Sequence, residues 1–72
     1  MSTASDHTLI REEVAGLLRC ITAHASVAAC HAEAGTDRLL AAEVRCAAAA
    51  MLAVADLIQH LNPNRWHGGR VA

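Results

Sequence analysis

Two sets of residues recur at alternating intervals of three and four along this chain, and this repeat constrains the fold more than any other feature. The first set is Ile10, Val14, Leu17, Ile21, His24, Ala28 and His31. The second set is Leu40, Val44, Ala47, Met51, Val54, Ile58 and Leu61. Because an α-helix has about 3.6 residues per turn, each set follows one side of a helix. The sequence therefore predicts two long helices with mainly apolar stripes, and an all-α fold.

The ends of these helices are marked by residues that stop or start a helix. Gly35 suits the left-handed conformation that caps a helix C-terminus, and Thr36 or Asp37 can cap the start of the next helix. Pro63 ends the second helix, because the residue before a proline avoids the helical conformation. The predicted organisation is a flexible N-terminus over 1–6, one helical domain over 7–61 with helices at about 7–34 and 37–61, and a tail over 62–72.

The short connection between the two helices predicts that they run antiparallel, as a helical hairpin. If the connection is the midpoint, Leu17 lies level with Val54 and His24 lies level with Ala47. The two apolar stripes then face each other along one seam.

A hairpin of this composition needs further apolar contacts. Hydrophobic residues make up 54% of the 72, but many are alanine and there is no Phe or Tyr, so little area is buried per residue. Large apolar residues also fall outside the stripes, at Leu18, Val27, Leu39, Leu52 and Leu57. We therefore expect a homodimer that forms a four-helix bundle. The alternative is a hairpin that docks on a different protein.

Charge and cysteine content narrow the functional classes. The formal net charge is −1, which makes nucleic acid an unlikely partner. Three cysteines cannot all pair within one chain, and a polar N-terminus does not resemble a secretory signal, so we expect a cytoplasmic protein with reduced thiols. The longest apolar run, Cys46–Ala55, is far shorter than the roughly 20 residues that span a bilayer. We expect no membrane segment.

Cysteine and histidine side chains on the first helix raise the possibility of a metal site. Cys20 and His24 share a face, and Cys46 neighbours the residue predicted to lie level with His24, so these three could ligate a transition metal. The spacing matches no specific metal motif, however. The alternative is that Cys20, Cys30 and Cys46 pack as small hydrophobic residues, while His24 either sets register and oligomeric state or is partly exposed.

The C-terminal tail contains a small cluster of basic and aromatic residues. These are Arg65, Trp66, His67 and Arg70. The cluster can fold back over the end of the bundle, or it can contact a partner or a nucleic acid base.

No catalytic motif is present, so the sequence predicts a non-enzymatic protein without a required cofactor. We expect an interaction module that pairs with itself and binds an unidentified protein as an inhibitor, adaptor or regulatory subunit. The predicted interaction residues are Leu18, Leu39, Leu52, Arg65, Trp66 and Arg70. One alternative is a metal-binding or metal-sensing bundle that uses Cys20, His24 and Cys46. A second is contact of the tail with nucleic acid or an acidic partner.

Overall fold

The computed structural model describes residues 3–61, which form two α-helices joined by a tight turn. Helix α1 spans Thr3–Ala34 and helix α2 spans Asp37–Leu61. The all-α class and the helical hairpin are confirmed, and α2 has the predicted bounds. Helix α1 begins four residues earlier than predicted, inside the segment expected to be flexible. Asp6 lies in its first turn, where a negative charge interacts favourably with the helix dipole. The tail predicted over 62–72 lies outside the described residues.

The turn between the helices is a Schellman motif centred on Gly35. Gly35 has φ 77°, its N–H donates to the Ala32 carbonyl at 3.3 Å, and the Thr36 N–H donates to the His31 carbonyl at 3.0 Å. The Thr36 carbonyl accepts the Leu40 N–H at 3.0 Å, which makes Thr36 the N-cap residue of α2. One helix thus ends and the next begins within two residues, which holds the helices antiparallel.

Glycine substitutions test the turn. We expect Gly35→Ala to lower the free energy of unfolding by about 1–2 kcal/mol, because a Cβ disfavours positive φ. A Cβ at Gly35 would meet no atom within 4 Å, so the cost is one of backbone conformation alone. The control is Gly16→Ala, inside α1 and equally uncrowded, which we expect to raise the free energy by about 0.5–1 kcal/mol. Urea denaturation measures both, and equal effects at the two positions would contradict this account.

The core of the single hairpin is very small. Among the residues with described side chains, only Ala28 and Val54 are buried, at 8% and 4% exposure. Seven large apolar side chains are exposed: Leu9, Leu18, Val27, Leu39, Val44, Met51 and Leu52. The predicted stripe of α1 does face α2, since all its members are buried or half-buried.

The predicted stripe of α2 is wrong in part. Val44 and Met51 were expected in the seam but are 51% and 48% exposed. The side of α2 that is buried or half-buried instead contains Leu40, Glu43, Ala47, Ala50, Val54, Leu57 and Leu61. This set also recurs at alternating intervals of three and four residues. It shares every second residue with the predicted stripe. The seam is therefore rotated by about one residue around α2, toward Glu43, Ala50 and Leu57.

Helix α1 has a second property, its overall hydropathy, which the apolar periodicity does not indicate. Its segment Asp6–Ala34 is long and apolar enough, by length and composition, to cross a membrane, and little of it is buried in the single hairpin. Core helices of soluble proteins and N-terminal signal sequences also reach this length and hydropathy, so one such helix is weak evidence for a membrane span. The expectation that the chain has no membrane segment therefore stays a prediction.

Candidate functional site

The seam contains one polar pair that joins the two helices. The Nδ1 atom of His24 lies 2.5 Å from the Oε1 atom of Glu43, and the two side chains are 38% and 27% exposed. In this arrangement the imidazole N–H donates to the carboxylate. His24 was predicted to lie in the seam, where a polar side chain that loses water needs a hydrogen-bond partner. The structure supplies that partner from the facing helix.

A second side-chain contact shows how the helices are aligned. The His31 Nδ1 lies 2.9 Å from the Thr36 hydroxyl oxygen, and that hydroxyl donates to the His31 carbonyl at 3.3 Å. The His31 ring therefore donates through Nδ1. Because the turn returns the chain to the level of His31, α2 begins beside this residue and not beyond Ala34.

The predicted register is consequently wrong by one helical turn. His24 was expected level with Ala47, but its partner is Glu43, four residues closer to the turn. The His31–Thr36 contact has the same alignment. The sequence reading took the connection as a simple midpoint, whereas the Schellman hydrogen bonds fold Thr36 back along α1.

The three cysteines do not lie where either interpretation placed them. Cys20, Cys30 and Cys46 are free thiols and all three are exposed, so the expectation that they pack in a core is wrong for the single hairpin. Cys20 and Cys46 flank the seam on the same side, but His24 is bonded to Glu43. Within residues 3–61, no group of three His, Cys, Asp or Glu side chains could hold a metal ion. The predicted set of Cys20, His24 and Cys46 is therefore not brought together in one hairpin.

The predicted apolar interaction residues on the helices are exposed. Leu18 is 42% exposed, Leu39 is 51% and Leu52 is 73%. Leu57, expected outside the seam, is half-buried in it. The remaining predicted residues, Arg65, Trp66 and Arg70, lie outside the described part of the chain.

Three exposed apolar residues were missed as surface residues: Leu9, Val44 and Met51. Val44 and Met51 were assigned to the seam because they are more apolar than Glu43 and Ala50. The signal that could have corrected this assignment is the carboxylate of Glu43. A carboxylate that shares a helix face with apolar residues can reach a histidine on the facing helix, and His24 offers one.

Apolar residues outside the seam form two surfaces, one on each side of it. Successive residues of a helix are about 100° apart around its axis, which places Leu18 on one flank of the α1 stripe. Because the helices are antiparallel, that flank lies on the same side of the seam as Val44 and Met51 of α2. We call this surface the Met51 face, and it comprises Leu18, Ala41, Val44, Ala48, Met51, Leu52 and Ala55. The opposite surface, the cysteine face, comprises Leu9, Cys20, Val27, Leu39 and Cys46.

Comparisons with protein-family models, with curated proteins and with solved structures found no match to this chain.

Proposed function

We propose that this chain is a small non-enzymatic interaction module that acts through its apolar helical surface. In this proposal two copies pair in a four-helix bundle, and the bundle binds another protein as an inhibitor, adaptor or regulatory subunit in the cytoplasm. The observation that carries the proposal is the imbalance between two buried residues and seven exposed large apolar residues in the described hairpin.

This imbalance has an energetic consequence. Burying a large aliphatic side chain stabilises a protein by about 1.5–3 kcal/mol. The free energy of unfolding of a natural domain is only about 5–15 kcal/mol, so a few such side chains matter. Leu52, at 73% exposure, retains most of that contribution for an intermolecular contact. Contiguous apolar surface of this kind is typical of interaction sites on small proteins.

Dilution tests the self-association. If the folded state is a dimer, raising the protein concentration about 100-fold should raise the apparent free energy of unfolding by about 2.7 kcal/mol, because the second copy binds only the folded chain. Thermal unfolding at about 1 µM and about 100 µM, with sedimentation equilibrium over the same range, measures this dependence. A monodisperse monomer with the same unfolding midpoint at both concentrations would contradict the proposal.

Affinity purification of the wild-type chain from its native host tests for the further protein partner, which we expect to co-purify with it. We expect Leu39→Asp, on the cysteine face, to abolish this co-purification, since a charge there interrupts the apolar surface. Glu33→Gln, at an exposed polar position, serves as the control.

A further inference from the structure

We infer that the second copy packs on the Met51 face, with the α2 helices of the two copies antiparallel and the two-fold axis near Ala48. This inference rests on the proposed self-association and specifies the surface that carries it.

Helix α2 has a second complete stripe with the spacing of a helix–helix seam. The stripe consists of Ala41, Val44, Ala48, Met51, Ala55 and Ile58, again at alternating intervals of three and four. Its members lie to one side of the seam residues of α2: Val44, Ala48 and Met51 are exposed, whereas Ala41, Ala55 and Ile58 are half-buried. An α-helix that carries two such stripes contacts two helices in a bundle. The single hairpin provides only one of them.

Several residues of the Met51 face lie opposite one another in a pair centred on Ala48. Alanine recurs every seventh residue and alternates with a larger side chain. In an antiparallel pair centred on Ala48, Ala41 lies opposite the partner's Ala55, and Val44 lies opposite the partner's Leu52. The alanines let the helix backbones approach closely while the larger side chains fill the space between them.

The position of Leu18 on α1 agrees with this centre. The two observed side-chain pairs, His24–Glu43 and His31–Thr36, set an alignment in which Leu18 lies level with residue 49. Leu18 is 42% exposed and flanks the seam on the same side as Met51. The large side chains of the Met51 face therefore cluster around the level of Ala48, where a two-fold axis brings both copies together.

Charge at the rim of the stripe selects the antiparallel orientation. Arg38 precedes Ala48 by ten residues, Asp56 follows it by eight, and both are exposed on the same side of α2. Antiparallel pairing places each Arg38 near the partner's Asp56, which forms two opposite-charge pairs. Parallel pairing would keep Arg38 and the partner's Asp56 about 27 Å apart along the helices, so neither pair would form. Arg45, on the same rim, lies level with the partner's Met51 and meets no like charge.

The cysteine face lacks this pattern. Along α2 its only large apolar side chain is Leu39, so it offers few side chains that could interdigitate with a second copy. This difference supplies a matched control. Met51 and Leu39 are 48% and 51% exposed on the same helix, on opposite sides of the seam.

The first experiment compares Met51→Lys with Leu39→Lys by sedimentation equilibrium. We expect Met51→Lys to weaken the dimer on the order of 100-fold or more, because a charge would be buried in an apolar stripe and would face the like charge of the partner's Arg45. Leu39→Lys should leave the dimer affinity unchanged within about threefold. Circular dichroism at the same concentrations checks that both variants are helical.

The second experiment does not depend on a destabilising substitution. In a chain whose native cysteines are replaced by serine, Ala48→Cys should form a covalent dimer rapidly under mild oxidation, since a disulfide needs Cα atoms about 4.4–6.8 Å apart. Ser26→Cys, exposed on α1 away from the seam, should cross-link slowly. Equal cross-linking rates would overturn the inference.

The outcomes separate this inference from the proposed function. A wild-type dimer that Leu39→Lys dissociates and Met51→Lys leaves intact overturns the Met51 face and retains self-association. A wild-type chain that is monomeric at all concentrations overturns both.

Discussion

Replacing Val54 with alanine is expected to lower the free energy of unfolding by about 1.5–2.5 kcal/mol, a large part of the stability of so small a domain. Val54 is 4% exposed and is the most buried side chain among residues 6–61. The substitution removes the equivalent of two methylene groups from the seam, and the helices can close only part of the space. For a domain of this size the thermal midpoint should fall on the order of 10 °C.

Val27→Ala is the matched control, because it makes the same chemical change at a side chain that is 41% exposed on α1. We expect it to change the free energy of unfolding by less than about 1 kcal/mol. Both variants should be compared with the wild-type chain at one protein concentration, since association shifts the midpoint. Equal losses at Val54 and Val27 would show that the seam described above is not the core.

The helices themselves were predictable because their boundaries are local signals. Gly35 can adopt positive φ at low cost, and Thr36 follows it as the N-cap, so the end of α1 and the start of α2 follow from residue type. The start of α1 was predicted too late. Residues 2–6 contain no strong helix former besides Ala4, and their polar side chains are equally compatible with a flexible terminus.

The facing surfaces were less predictable, because α2 is apolar around much of its circumference. Two stripes with the same spacing share Leu40, Ala47, Val54 and Leu61. At the positions between these shared residues, the two stripes differ by one residue, which is a rotation of about 100° around the helix. Side-chain hydrophobicity favours Val44 and Met51 over their neighbours. The structure instead buries small residues and a paired carboxylate, so helix approach and hydrogen bonding outweigh side-chain size.

The register error has a different cause. The prediction assumed that residues equally distant from the connection lie level with each other. In the structure, the hydrogen bonds of the turn return Thr36 to the level of His31. Turn geometry of this kind follows from backbone conformation and has no counterpart in the apolar periodicity. The identity of the His24 partner depended on this register. The sequence therefore predicted that His24 lies in the seam, but it did not predict that Glu43 is its partner.

Replacing the polar pair with leucine, in the double variant His24→Leu and Glu43→Leu, is expected to raise the free energy of unfolding by about 1–4 kcal/mol. The pair is 38% and 27% exposed, so its attraction is reduced by solvent, whereas two leucines in the seam gain apolar burial. We also expect the double variant to lose its single oligomeric state, since a polar pair at one level of a seam disfavours other alignments of the helices. Urea denaturation and sedimentation velocity measure the two effects.

The single variants distinguish this role from simple stabilisation. His24→Leu alone leaves the Glu43 carboxylate half-buried without its donor, so we expect a smaller gain than in the double variant, or a loss. Glu43→Leu alone does the same to the imidazole. If the double variant is less stable than the wild type, the pair stabilises the hairpin directly. If the variant is more stable and remains one uniform species, His24 does not specify the alignment, and the turn at Gly35 alone is sufficient to set it.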